Sequence, residues 1–184
     1  AVFSQLLEQM MLEWQQQSLR IEAMNAQLQA LARQDRQARQ LMSVRGIGPV
    51  TATALIAKQC EPARFANARQ FAAYFGVVPE QHSSGNQQRL GKMSKRGDGY
   101  LRSLLIEGAH AVLRHVPGDS QKPDDLRLLR WMHRHGSKAA AVRLANRNLR
   151  IVWVLLQSDQ TYCSERGARG HPAAEIAQEP EMDQ

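Results

Sequence analysis

The sequence predicts a mainly α-helical protein: a long N-terminal coiled-coil helix, then a compact helical domain containing a helix-hairpin-helix and a long basic loop. Three observations predict it. No proline or glycine occurs between Phe3 and Met42. Gly46 and Gly48, one residue apart, then interrupt the chain just ahead of Pro49. A polar, cation-rich run from Val77 to Gly99 separates the apolar periodic segments that follow. The expected parts are a coiled-coil helix over 1–41, a helical domain over 42–160 and a disordered tail over 161–184, where glutamate, alanine, proline and glycine take over.

The first helix follows from glutamine, alanine, leucine and methionine, which favour or tolerate helix. Leu7, Trp14, Ile21 and Leu28 form one heptad series and Phe3, Met10, Met24 and Leu31 another, offset by three. So narrow a stripe amid glutamine fits a helical partner better than the protein's own core, which predicts a homo-oligomer. Gln17 and Asp35 interrupt the seam, and polar residues there restrict register.

Next, Val44 to Ala52 reads as a tight hairpin between two helices. Its glycines permit backbone angles closed to other residues, and Pro49 suits the first turn of a helix. Such a turn presents backbone N–H groups at a helix N-terminus, where a nucleic-acid phosphate is the natural ligand. Ala68 to Phe75 is a short helix ended near Gly76. Val77 to Gly99 then reads as an ordered loop, with Val78, Leu90 and Met93 as anchors. Helices resume at Tyr100 to His115, Leu126 to His135 and Lys138 to Gln157, after a polar linker from Pro117 to Asp125.

Lys and Arg total 24 against 17 acidic residues, a net charge of +7, which predicts a phosphate-rich partner. Cys60 and Cys163 stand far apart and in no zinc spacing, and read as reduced thiols of a cytoplasmic, DNA-associated protein. His110, His115, His133 and His135 show no metal-ligand pattern, so no metal or cofactor is expected in this chain. The longest apolar stretch, Ile151 to Leu156, is far short of a membrane span. The chain opens without methionine inside an amphipathic pattern, as a piece cut from a longer protein would.

Three segments share one chemistry. The turn at Gly46, Ile47, Gly48 and Thr51 offers backbone donors. The run containing Arg89, Lys92, Ser94, Lys95 and Arg96 offers cations, and Arg102 opens the next helix. Together they are expected to form a DNA-binding surface. Ser83 and Ser84 start the same basic run, and a serine hydroxyl becomes a useful nucleophile where cations stabilise the developing charge. The expectation is that these cations and amides converge on the serines.

The stretches Val44 to Ala52, Arg64 to Gly76, Gln81 to Gly85, Arg89 to Gly97 and Tyr100 to Arg102 resemble, in that order, the C-terminal domain of the insertion sequence 110/116/902 family of transposases. The resemblance covers roughly residues 41 to 158. It implies a recombinase guided by a structured bridge RNA, with a ribonuclease-H-like acidic domain that binds magnesium, a coiled coil, and a helical domain whose serine attacks a DNA phosphate to give a phosphoserine link. The position matching that serine is Ser84, with Ser83 the second candidate. The chain departs from the family at Arg45, usually proline, and at Asn86 and Gln87, usually glycine and lysine. No acidic domain precedes the coiled coil, so the chain alone is expected to bind nucleic acid and to cleave it poorly or not at all. The competing readings are a non-catalytic helix-hairpin-helix module that grips nucleic acid, and a structural oligomerisation protein built on the heptads.

Overall fold

The glycine- and proline-free N-terminal stretch is helical, but as two helices. In the computed structural model, which describes residues 2–59, 61–84, 87–158 and 161–162 and only the backbone of 81–84 and 87–90, α1 spans Val2–Gln34 and α2 spans Arg36–Met42. Asp35 leaves the helical region at φ −74°, ψ 126°, and its carboxylate accepts from the Ala38 amide at 2.7 Å. Aspartate satisfies an orphan amide as an N-cap better than it propagates a helix, so the residue expected to interrupt the seam ends the helix instead. The single helix expected over 1–41 is corrected accordingly.

α1 is about 50 Å long at the usual helical rise. It packs on α2 and α3 near its C-terminal end, where Ala32 is fully buried. Of its seam residues, Phe3, Leu7, Met10, Trp14, Ile21, Met24 and Leu31 are exposed, Trp14 at 69%, and Leu28 is half-buried.

The helical domain continues with α3 (Pro49–Ala57), a 3₁₀ turn at Pro62–Arg64, α4 (Ala68–Tyr74), α5 (Gly99–Arg114) and α6 (Pro123–Leu155). Each start has a local cause. Pro49 occupies the first turn of α3, Asn67 accepts from the Gln70 amide at 3.0 Å, and Asp98 accepts from the Tyr100 and Leu101 amides at 3.0 and 3.1 Å. The linker expected up to Asp125 is shorter, because Pro123 starts α6. Gly136, at φ 77°, ψ 162°, divides α6 where the sequence predicts the boundary between two helices.

Leu41, Val44, Phe71, Phe75, Leu101, Leu105, Leu149 and Val152 form the centre of the core. α5 and α4 both lie on α6, and α3 on α5. Phe65, Phe71, Tyr74 and Phe75 meet edge to face with ring centroids 5.2–5.4 Å apart, which orients α4. Trp153 Nε1 donates to the Pro62 carbonyl at 3.1 Å, and Tyr162 N donates to Ser43 Oγ at 2.9 Å.

The expected long loop is a β-hairpin, and this is the main correction. β1 (Pro79–Ser84) and β2 (Gln87–Met93) pair antiparallel, with Ser84 opposite Gln87, Ser83 opposite Gln88, His82 opposite Arg89 and Gln81 opposite Leu90. Between Gln81↔Leu90 and Pro79↔Met93 the second strand has one residue more than the first, a bulge around Gly91 and Lys92. Of the expected anchors, Val78 packs against the core and Met93 is half-buried. The tail beyond 162, both cysteines and the side chain of Leu90 lie outside the described residues.

One buried carboxylate joins distant parts of the domain. Ser120 Oγ donates to Asp125 Oδ2 at 2.7 Å, and the Arg45 guanidinium pairs with Oδ1. The Ser120 hydrogen bond first, and Arg45 second, hold the Asp125 carboxyl below its ordinary range. A depressed carboxylate stabilises the fold above its unfolded pKa of about 3.9, and that stability is lost as pH falls through the folded value. Asp125→Asn is therefore expected to cost about 1–3 kcal/mol at neutral pH. A thermal melt series from neutral to acidic pH should show a shallower acid loss for the variant than for the parent.

Candidate nucleic-acid interface

Gly46, Ile47 and Gly48 form the turn between α2 and α3, as the glycine spacing predicts. Gly46 sits at φ 96°, and a Cβ there would stand 3.1 Å from the Gly108 carbonyl oxygen and from Val112 Cγ2. Conversely, a Cβ on Gly108 would lie 2.1 Å from the Gly46 carbonyl oxygen. The turn is thus laid backbone to backbone on α5, an approach open only to glycine. Asn148, itself buried, donates from Nδ2 to the Arg45 carbonyl at 3.0 Å and holds the turn from the α6 side. Nothing in the sequence around Asn148 signals this, since its partner lies 103 residues away.

Not every expected donor in the turn faces outward. Ile47 and Thr51 are buried, at 4% and 6% exposure, and the Ile47 amide donates to the Val44 carbonyl at 3.0 Å. The exposed Gly48 caps α3 without a side-chain hydrogen bond. The helical ladder begins with Ala52 N to Gly48 O at 2.9 Å, so the Val50 and Thr51 amides precede it. Beside them, Arg45, Gly48, Ala111 and His115 line an open depression of about 390 Å³.

The hairpin's base is pinned in the same way as the turn. Ser94 N donates to Val78 O at 2.9 Å and Lys95 N to Gly76 O at 3.2 Å, extending the ladder to the end of α4. A Cβ on Gly76 would stand 2.0 Å from the Arg96 carbonyl oxygen, and one on Gly97 2.0 Å from that of Tyr74. Lys95 itself takes φ 52°. Lys92, Lys95 and Arg96 are exposed around this base, while Arg102 is half-buried and points Nη1 at the Phe75 carbonyl, 3.4 Å away. Lys58 Nζ reaches Asp98 Oδ2 at 3.1 Å, and the Leu101 amide, then Lys58, lower the Asp98 pKa.

Among the described residues, β1 and β2 share extensive contacts only with each other, so the ribbon leaves the helical domain as an arm. Ser83 and Ser84 end β1 at the far end of the arm. Five strand steps separate Ser84 from Pro79, about 17 Å. The geometry therefore brings Lys95, Arg96 and Arg102 together at the base, and does not bring them to the serines. By register Arg89 is the cation nearest the tip, opposite His82 and two positions beyond Gln87. Among the described residues no group of three or more His, Cys, Asp and Glu is placed to hold a metal ion. No described helix is long and apolar enough to cross a membrane.

Residues 38–123 match the model described as the transposase IS116/IS110/IS902 family, and the chain belongs to that family. It is 43% identical over 166 residues to a Pseudomonas aeruginosa protein named "Probable family 20 transposase", covering 88% of this chain and 48% of that one. It is also 41% identical over 136 residues to the transposase for insertion sequence element IS1111A of Coxiella burnetii, covering 74% of this chain and 37% of the relative. The transposase for IS1328 of Yersinia enterocolitica is 34% identical over 139 residues, covering 73% and 40% respectively. The chain thus spans about half the length, or less, of these relatives.

Because the turn and α5 meet through backbone atoms, Gly108→Ala is expected to force them apart, at a cost of about 1–3 kcal/mol. Gly118→Ala, where an added Cβ meets nothing within 4 Å, should leave the melting temperature nearly unchanged.

Proposed function

We propose that this chain is the DNA-holding, serine-bearing portion of an insertion-sequence transposase. In this reading the helical domain grips duplex DNA and the arm carries Ser84 to a phosphodiester. The observation that carries it is the arm itself: a two-stranded ribbon, which a DNA major groove can admit, with the serine pair at its tip and cations around its base. Lys92, Lys95, Arg96 and the α3 N-terminus hold the backbone, while the serine works some 17 Å away. Charge stabilisation at the serine then falls to Arg89 and to groups outside the described residues, including the acidic, magnesium-binding domain that the resemblance implies. In a bridge-RNA-guided reaction of this kind, target choice rests on base pairing.

The attack would be a transesterification: the Ser84 oxygen forms a bond to phosphorus, one phosphodiester oxygen leaves with its strand, and the hydroxyl proton passes to a base. The separation of the base cations from the serine favours one competing reading, a module that grips DNA without chemistry.

The α1 seam is read as the dimerisation element. Its large apolar residues are exposed along some eight helical turns, more apolar surface than a monomer ordinarily leaves in water.

Two measurements test these readings. In a protein that also carries the acidic domain, Ser84→Ala should abolish a covalent protein–DNA adduct while DNA binding persists, and Ser83→Ala should leave adduct formation largely intact. An adduct surviving Ser84→Ala removes the nucleophile and leaves the gripping module. Sedimentation of the present chain should show a dimer or larger species that Trp14→Glu with Ile21→Glu reduces to monomer; a monomeric parent excludes the coiled coil.

A further inference from the structure

Past α1, the aromatic rings of the helical domain are buried or half-buried with two exceptions: Tyr74 is 45% exposed and Tyr100 64%. Both fall at one place. A Cβ on Gly97 would stand 2.0 Å from the Tyr74 carbonyl oxygen, and Tyr100 follows Gly97 by three residues, a reach of at most about 11 Å. The two tyrosines thus flank the contact that closes the base of the arm.

The two rings are held differently. Tyr74 leans edge to face on Phe65 and Phe75, with centroids 5.4 and 5.3 Å away, so packing accounts for its place. Tyr100 has no such support. It stands in the first turn of α5, beside the core face formed by Leu101, Leu105 and Ala109. Asp98 accepts from its backbone amide at 3.0 Å, which fixes the turn, but among the described residues its ring meets no other ring and its hydroxyl has no hydrogen-bond partner.

A ring set in water beside cations has the make-up of a base-stacking platform: the cations hold a nucleic-acid backbone and the ring receives the face of a base. Lys95 and Arg96 are exposed immediately ahead of Gly97. The acid in the same stretch, Asp98, is already engaged by the Tyr100 and Leu101 amides and by Lys58 Nζ, so it opposes a phosphate less than a free carboxylate would. Inside a duplex each base face is covered by its neighbours, and a side chain stacks only on a base that has left the helix. Strand exchange frees such bases next to the attacked phosphodiester. The arm's length of about 17 Å corresponds to about five nucleotide steps of about 3.4 Å. A strand running from the tip back along the arm reaches its base within that distance.

We infer that Tyr100 stacks on an unpaired DNA base at the base of the arm, with Lys95 and Arg96 on the flanking phosphates. The inference rests on the DNA-holding reading above and adds to it a preference for single-stranded DNA that neither the glycine turn nor the ribbon supplies.

The test is fluorescence anisotropy of the intact chain with labelled probes of one arbitrary sequence: a single-stranded DNA oligonucleotide, the same strand fully paired, and the corresponding single-stranded RNA. Tyr100→Ala should melt at the parent's temperature, bind single-stranded DNA at least about fivefold more weakly, and bind the duplex as the parent does. Tyr100→Phe, which keeps the ring and loses the hydroxyl, should bind both DNA probes like the parent. Tyr100→Ala removes no cation, so it should keep the parent's slope of log K against log salt. Lys95→Ala with Arg96→Ala should lower that slope on the single strand by about 1.4, from about 0.7 per lost phosphate contact. Duplex binding by the parent, with no effect of Tyr100→Ala on the single strand, overturns the inference and leaves the proposed function standing. An equal loss on both DNA probes, a Tyr100→Phe variant as weak as Tyr100→Ala, an unchanged slope in the Lys95 and Arg96 variant, or a loss confined to RNA overturns it as well. A parent chain that binds neither DNA probe overturns both.

Discussion

The structure depends on backbone lying directly on backbone at two places. At the first, the Gly46 and Gly108 backbones touch, so the turn between α2 and α3 rests on α5 with no side chain between them. At the second, Gly76 and Gly97 lock the end of α4 against the segment leaving β2. Each contact leaves no room for a Cβ. The first aims the N-terminus of α3, and the second sets where the arm leaves the domain. The aromatic cluster on α4 and the leucines of α5 supply burial, but burial is non-directional and would not by itself orient either feature.

Around these contacts a few polar links join segments far apart in sequence. Asn148 holds the Arg45 carbonyl, Asn146 Nδ2 donates to the Val77 carbonyl at 3.2 Å, and Asp125 holds the Arg45 side chain. All three run between α6 and the segments next to the glycine contacts. α6 is therefore the scaffold behind the interface. Its acidic residues stand in the first turn, where they favour the helix N-terminus and engage Arg45, Arg127 and Arg147.

Much of the helical architecture was legible. The heptad stripe, the glycine pair before Pro49 and the apolar spacing of Leu101, Leu105, Ala109 and Val112 are local signals, and each lies in a helix or helix start of the expected kind. The arm reads as loop in the sequence because its strands lack the β-branched and aromatic residues that mark strands. Two signals for it were nonetheless present: Gly85-Asn86 is a doublet suited to a two-residue hairpin connection, and Gly91 falls at the bulge. At Asp35 the capping preference prevails over the heptad position.

The sequence by itself determined the helical class, the breaks at Gly46–Gly48 and Gly136, and the family, because periodicity, glycine spacing and ordered motifs are properties of neighbouring residues. Only the tertiary structure decided that Ser84 stands at the end of an arm while Lys95 and Arg96 stay at its base, and that Thr51 turns inward. It also brought Asp125 to Arg45, so that α6 meets the glycine turn. These outcomes depend on which distant segments approach closely enough to exchange hydrogen bonds, and no local pattern encodes that distance.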